Sequence, residues 1–167
     1  MLRELHAELG IPADYGQENG LPSFEDALEL VEIGPNLVGR MQSLTPVAAV
    51  SWQAMVRAAA ADKVTLLIVS GFRSVDYQAR LIRKKINAGQ VITDILRVNA
   101  APGFSEHHTG NAVDIATPGS RPLTEEFEDT EAFRWLGENA GRFGFSMTYP
   151  KENPWGIIYE PWHWSVK

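Results

Sequence analysis

The sequence predicts an α+β domain, a small antiparallel sheet with flanking helices. Three observations point there. Capped helical runs lie before and between two short apolar strand-like runs, "KVTLLIVSGF" and "GNAVDIA". The last quarter of the chain changes character, to short aromatic-rich runs in "FGFSMTY", "GIIYE" and "WHWSV". Finally, 167 residues with 44% hydrophobic and 22% charged side chains suit one domain large enough to bury a core.

Each element has its own signal. Residues 1–22 read as a short helix and then irregular chain, with turn signals at Pro12, Gly16, Gly20 and Pro22. The run "SFEDALELVEIGPNLVGRMQSL" is open between a helix and short strands broken at Gly34-Pro35. In "TPVAAVSWQAMVRAAAAD", Thr45 is a helix N-cap, Pro46 takes the first helical position, and an Ala-rich run follows. "KVTLLIVSGF" is a buried strand ending at Gly71. "SVDYQARLIRKKINAG" is an amphipathic helix that Ser74 caps and Gly89 ends, and "VITDILRVNA" adds a further helical turn or two. "GNAVDIA" is a short strand, and residues 124–142 read as one helix carrying Phe127, Phe133, Trp135 and Leu136. The tail from Phe143 to Val166 reads as several short strands.

Composition excludes some chemistries. There are no cysteines, which removes disulfides, thiolate metal sites and cysteine nucleophiles. A net charge of −6 argues against a nucleic-acid partner, and against a metal nuclease in particular. No run approaches the ~20 apolar residues of a membrane span. The first residues carry charge at Arg3, Glu4 and Glu8 without an apolar stretch, so no secretory leader is expected there.

Histidine is scarce, with four in the chain, yet two stand side by side in "SEHHTGNAVDIA". A catalytic zinc takes three nitrogen and oxygen ligands and keeps a position for water. His107 and Asp114 flank a turn at Gly110, and "YEPWHW" places Glu160 three residues before His163. These are the parts of a metal-water hydrolase, in which the metal acidifies a water and a carboxylate takes its proton. Each part also has a plain alternative. A lone histidine is more often a surface or satisfied core residue, Asp114 can simply accept hydrogen bonds from a turn, and "EPWHW" can be an aromatic edge strand.

Ser105, His107, Gly110, Ala112 and Asp114 spell S-x-H-x-x-G-x-A-x-D. That pattern resembles the VanY/VanX-type D-alanyl-D-alanine peptidases, zinc enzymes grouped with lysostaphin-like peptidases and the hedgehog signalling domain. "EPWHW" is similar to their E-x-x-H element, "SGFRS" to their arginine element, and Tyr77-Gln78 follows in the expected order. The three elements lie within Leu37–Lys167, roughly three quarters of the chain. The resemblance implies a hedgehog/D-Ala-D-Ala-peptidase-like domain over 37–167, with 1–36 an N-terminal extension of no assigned role. It implies one zinc ion held by His107, Asp114 and His163, Glu160 as general base, and Arg73 at the scissile carbonyl oxygen. It places Ser105 and Gln78 near the substrate's terminal carboxylate or backbone, with Tyr77 and Trp162 as further contacts. His108 falls off the ligand position and His6 outside the matched region.

The activity implied is removal of a terminal D-Ala from peptidoglycan stem peptides or muropeptides, of D,D or L,D type. A phage-lysin-type endopeptidase and a non-catalytic zinc-containing binding module are the alternatives. A monomer is the default. The substrate class suggests the cell envelope or periplasm. The leaderless start instead suits cytoplasmic muropeptide recycling or release by phage lysis.

Overall fold

A computed structural model describes all residues, Met1–Lys167. Helix α1 (Leu2–Leu9) is followed by a long irregular segment and a hairpin of β1 (Val31–Pro35) and β2 (Met41–Leu44). Then come α2 (Pro46–Ala61), β3 (Leu67–Ser70), α3 (Val75–Asn87), α4 (Ile92–Val98), β4 (Ala112–Ala116), α5 (Glu131–Asn139), β5 (Phe145–Met147) and β6 (His163–Val166). Four strands form one antiparallel sheet in the order β3-β4-β6-β5, and β1-β2 pair separately. The open run at 23–44 is thus resolved as strands from Val31 on, but Gly34-Pro35 lies within β1 and the break falls in the turn at 36–40. The 36/37 division falls in the turn between β1 and β2, and residues 1–36 are tied to the rest through Phe24 and Ala27, whose amides donate to the carbonyls of Gly103 and His108.

The caps act where the sequence suggests. The Thr45 hydroxyl accepts from the Ala48 amide, and the Ser74 hydroxyl from that of Tyr77. Two stretches differ from expectation. Residues 124–142 are not one helix but a 3₁₀ turn (Glu125–Asp129), α5 and a second 3₁₀ turn (Ala140–Phe143). Thr130 breaks the run: its backbone is extended, its hydroxyl donates to the Phe127 carbonyl and accepts from the Phe133 amide, and a new helix starts there. "GIIYE" is not a strand either. Asn153 folds that stretch into a loop, its amide group donating to the carbonyls of Pro150 and Ile157 while its oxygen accepts from the Trp155 and Ile157 amides.

Two apolar cores divide the work. The larger joins the four-stranded sheet to α2 and α5, and a smaller one joins α1, α3 and α4 through Leu9, Ala79, Ile82 and Ile95. Strand β4, "AVDIA", is buried along its whole length. Its period-two alternation sends Val113 and Ile115 into the larger core and Asp114 to the opposite face. β6 alternates likewise: Trp164 packs in the core, and His163 lies directly opposite Asp114 in register. The polar face of the sheet is where chemistry-bearing side chains collect.

Candidate active site

His107 is carried on a 3₁₀ turn, Glu106–Thr109, that ends at Gly110 with φ +68°, a left-handed conformation natural to glycine. His107 Nδ1 donates to the Gly71 carbonyl at 2.7 Å, so the lone pair is on Nε2. That nitrogen is buried, lies 3.1 Å from Asp114 Oδ2, and makes no hydrogen bond. Gly71 permits this because β3 and β2 approach closely there: a Cβ would meet the Ser43 carbonyl oxygen at 2.7 Å.

His163 is turned by two carboxylates. Its Nε2 donates to Glu106 Oε2 at 2.8 Å, and its Nδ1 lies 3.0 Å from Asp114 Oδ1. Glu106 is itself held, accepting from the Thr148 hydroxyl at 2.6 Å and from Lys167 Nζ. These partners set the charges. Burial, seconded by the Arg73 guanidinium, lowers His107 to about 4, so it is neutral. Burial opposes charge on His163 too, but the hydrogen bonds to Asp114 and Glu106 prevail and raise it to about 10. Burial likewise works against ionisation of Asp114 and Glu106, and the facing histidines hold both well below the usual carboxylate range. An imidazolium thus sits between two carboxylates where a cation fits.

The ligand atoms of His107, Asp114 and His163 all lie within 4.8 Å of one another. Two imidazole nitrogens and a carboxylate oxygen, one of the nitrogens buried and unpartnered, fit a zinc ion with an open position. Glu106 then has the role of the carboxylate that orients a metal-binding histidine through its other nitrogen. Glu160 stands beside the cluster, Oε2 at 3.8 Å from His163 Nδ1, and burial raises it to about 7.

A cleft of about 290 Å³ opens onto this cluster. Arg73, Ser105, Glu160 and Trp162 line it together with His107, Asp114 and His163. Gln78 and Tyr77 do not. Gln78 is buried behind the wall, where its amide donates to the Ala100 carbonyl at 2.8 Å, and Tyr77 is 39% exposed on α3. His108 is a framework residue, its Nδ1 donating to the Arg73 carbonyl at 2.6 Å and its Nε2 accepting from the Gly103 amide at 3.0 Å. His6 bonds the Pro102 carbonyl at 2.7 Å, away from the cleft.

Several cleft residues carry no sequence signal of their own. Glu106 is one; only the "SEH" spelling hints at it. Tyr149 is another. Its ring centroid is 4.8 Å from that of His163, and burial with Glu106 and Glu160 nearby raises its pKa, so its hydroxyl keeps its proton. Lys85 and Arg97 also reach the cleft, from the last turns of α3 and α4.

A family model described as "VanY: D-alanyl-D-alanine carboxypeptidase" matches residues 41–166, which include every cluster residue above except Lys167. The chain belongs to this VanY family. Among relatives of the family, a D-alanyl-D-alanine carboxypeptidase of Enterococcus faecalis is 34% identical over 122 residues, covering 67% of this chain and 44% of its own length. The chain therefore spans under half of that relative. Solved VanY-like folds agree with the architecture. An LD-carboxypeptidase, LdcB, superposes with a TM-score of 0.74 at 30% identity over 87% of this chain and 71% of its own. A vancomycin-resistance D,D-pentapeptidase VanY in complex with Zn(II) gives 0.63 at 29% identity over 87% and 82%.

Proposed function

We propose that the chain is a zinc-dependent carboxypeptidase that removes a terminal D-Ala from peptidoglycan stem peptides, acting in the cell envelope. One observation carries this: a buried His107–Asp114–His163 donor set shares a single cleft with a carboxylate of raised pKa and an arginine. The relative named as a D-alanyl-D-alanine carboxypeptidase and the Zn(II) complex of a VanY support the choice of substrate and metal.

When bound, zinc supplies a Lewis acid that acidifies water to a pKa of about 7. The protein's residues supply the rest. Glu160, poised near 7, takes a proton from the attacking water and returns it to the departing amine. Arg73 stabilises the negative charge that develops on the scissile carbonyl oxygen. The walls at Trp162 and Tyr149 exclude water, which strengthens both effects. Ser105, buried beside His107, orients the peptide from the cleft wall. Gln78 acts at one remove, by fixing the Ala100 backbone that borders the cleft, and Tyr77 plays at most an outer part.

The test is D-Ala release from a synthetic stem tetrapeptide and pentapeptide, with and without zinc chelation. Chelator-sensitive release from the pentapeptide identifies a D,D enzyme, and from the tetrapeptide an L,D enzyme. No release from either by protein carrying one zinc per chain overturns the proposal, leaving an endopeptidase or a binding module.

A further inference from the structure

The charges lining the cleft are unevenly partnered. Its carboxylates, Glu106, Asp114 and Glu160, gather around His163, each within 3.8 Å of one of its ring nitrogens. Its cations, Arg73, Lys85 and Arg97, form no ion pair with any acid of the chain. No side-chain hydrogen bond engages them either, and Arg73 Nε is buried without a partner. In a protein of net charge −6, three cations brought to the lining of one cavity give that side of the cleft a local positive field.

Lys85 and Arg97 are set apart from Arg73 by origin. Arg73 precedes α3, whereas Lys85 is in its last turn and Arg97 is in the last turn of α4. Both helices are anchored by the smaller core through Ile82 and Ile95, three and two residues before the cations they carry. Gln78 adds a brace, since its bond to Ala100 fixes the backbone just after α4, where Asn99 also faces the cleft. Lys85 is half-buried, which lowers its pKa, and it is close enough to Arg73 for their repulsion to lower it further. Like charges held together without a counter-ion are relieved by a bound anion.

We propose that Lys85 and Arg97 form a carboxylate-binding subsite on the α3–α4 side of the cleft. The subsite rests on the carboxypeptidase reading, because a peptide in this cleft is what brings a carboxylate to it. Two sources share that chemistry: the peptide's terminal carboxylate, and a side-chain carboxylate on a residue before the scissile bond.

The experiment uses the full zinc-loaded chain and four peptides: free acid or C-terminal amide, each with lysine or the carboxylated analogue diaminopimelate at the third position. Affinity by calorimetry and, where turnover occurs, KM and kcat are compared for wild type, Lys85→Met, Arg97→Gln and Lys84→Met. Lys84 is exposed on the same helix turn and does not line the cleft, so its variant controls for loss of charge alone. The expected result is a tenfold or greater rise in Kd and KM in the Lys85 and Arg97 variants, with the control at wild-type values. Loss confined to the free acids assigns the terminal carboxylate, and loss confined to the diaminopimelate peptides assigns the side-chain carboxylate. Variants that bind all four peptides as tightly as wild type overturn the subsite. Absence of turnover in wild type overturns the carboxypeptidase reading instead, and the calorimetric comparison still decides the subsite.

Discussion

Replacing Glu106 should expose two opposed effects on zinc binding. Its carboxylate accepts from His163 Nε2, the Thr148 hydroxyl and Lys167 Nζ. In Glu106→Ala the imidazole loses the partner that aims Nδ1 at the metal, and losses of this kind lower metal affinity about 10- to 100-fold, or ~1.4–2.7 kcal/mol. Against that, Glu106 is also one of the two carboxylates that raise His163 to about 10 in the metal-free protein. Zinc must displace that proton, so wild-type affinity should climb about tenfold per pH unit through neutrality. Removing Glu106 weakens the proton's hold and flattens the slope. The affinity deficit of the variant should therefore be small near pH 7, grow as pH rises, and reach its full 10- to 100-fold range only above about pH 10. Glu106→Gln keeps an oxygen that can accept from Nε2 and should fall between. A competitive titration against a chelator of known affinity, at several pH values, measures all three proteins. Superimposable profiles for wild type and Glu106→Ala would refute the assignment of His163's orientation to Glu106.

Three further outcomes are expected. Glu160→Gln should lower kcat about 10²- to 10⁴-fold, while elemental analysis still finds one zinc per chain. For the metal-free protein, His163 has a folded pKa near 10, above its ordinary 6.5, so its contribution is complete below 6.5 and is lost as pH rises toward 10. Stability should then fall between pH 7 and 9 by up to ~1.4 kcal/mol per unit, seen as a declining melting temperature that the zinc-loaded protein does not show. Gly71→Ala puts a methyl group against the Ser43 carbonyl oxygen, a backbone atom that cannot swing aside. It should cost about 1–3 kcal/mol in a denaturation experiment, and a wild-type midpoint would contradict the close β2–β3 approach.

How much was legible beforehand depended on whether a signal is local. Thr45, Pro46 and Ser74 are helix starts that act within three residues, and the structure has them capping where expected. The spacing from Ser105 to Asp114, with E-x-x-H near the end, points to His107, Asp114, His163 and Glu160, and those side chains share one cleft. Thr130 is just as local, yet the apolar pattern running through it reads as one helix, because hydrophobic spacing cannot register a capping hydroxyl in mid-run. "GIIYE" has strand composition, but four hydrogen bonds from one asparagine side chain outweigh it. Glu106, Lys85 and Arg97 were out of reach for another reason. The first acts on a residue 57 positions away, and the other two matter because the fold brings them to one cleft with Arg73. Gln78 shows the converse: its place in the motif suggests a ligand contact, while its burial makes it a brace.

The Asn153 loop separates two kinds of inheritance. Asp114 and His163 face each other across paired strands, where a one-residue slip would turn both side chains into the core. Ile157 and Ile158 instead hang on the loop between β5 and β6, which the Asn153 side chain folds and no ladder holds, while a backbone bond from Glu160 to the Tyr149 carbonyl closes its base. Mutations can therefore redraw that wall, by lengthening it or changing its apolar residues, while the paired strands that carry Asp114 and His163 stay as they are. Descendants of one such scaffold can diverge in the shape of the cleft without disturbing the His107–Asp114–His163 cluster.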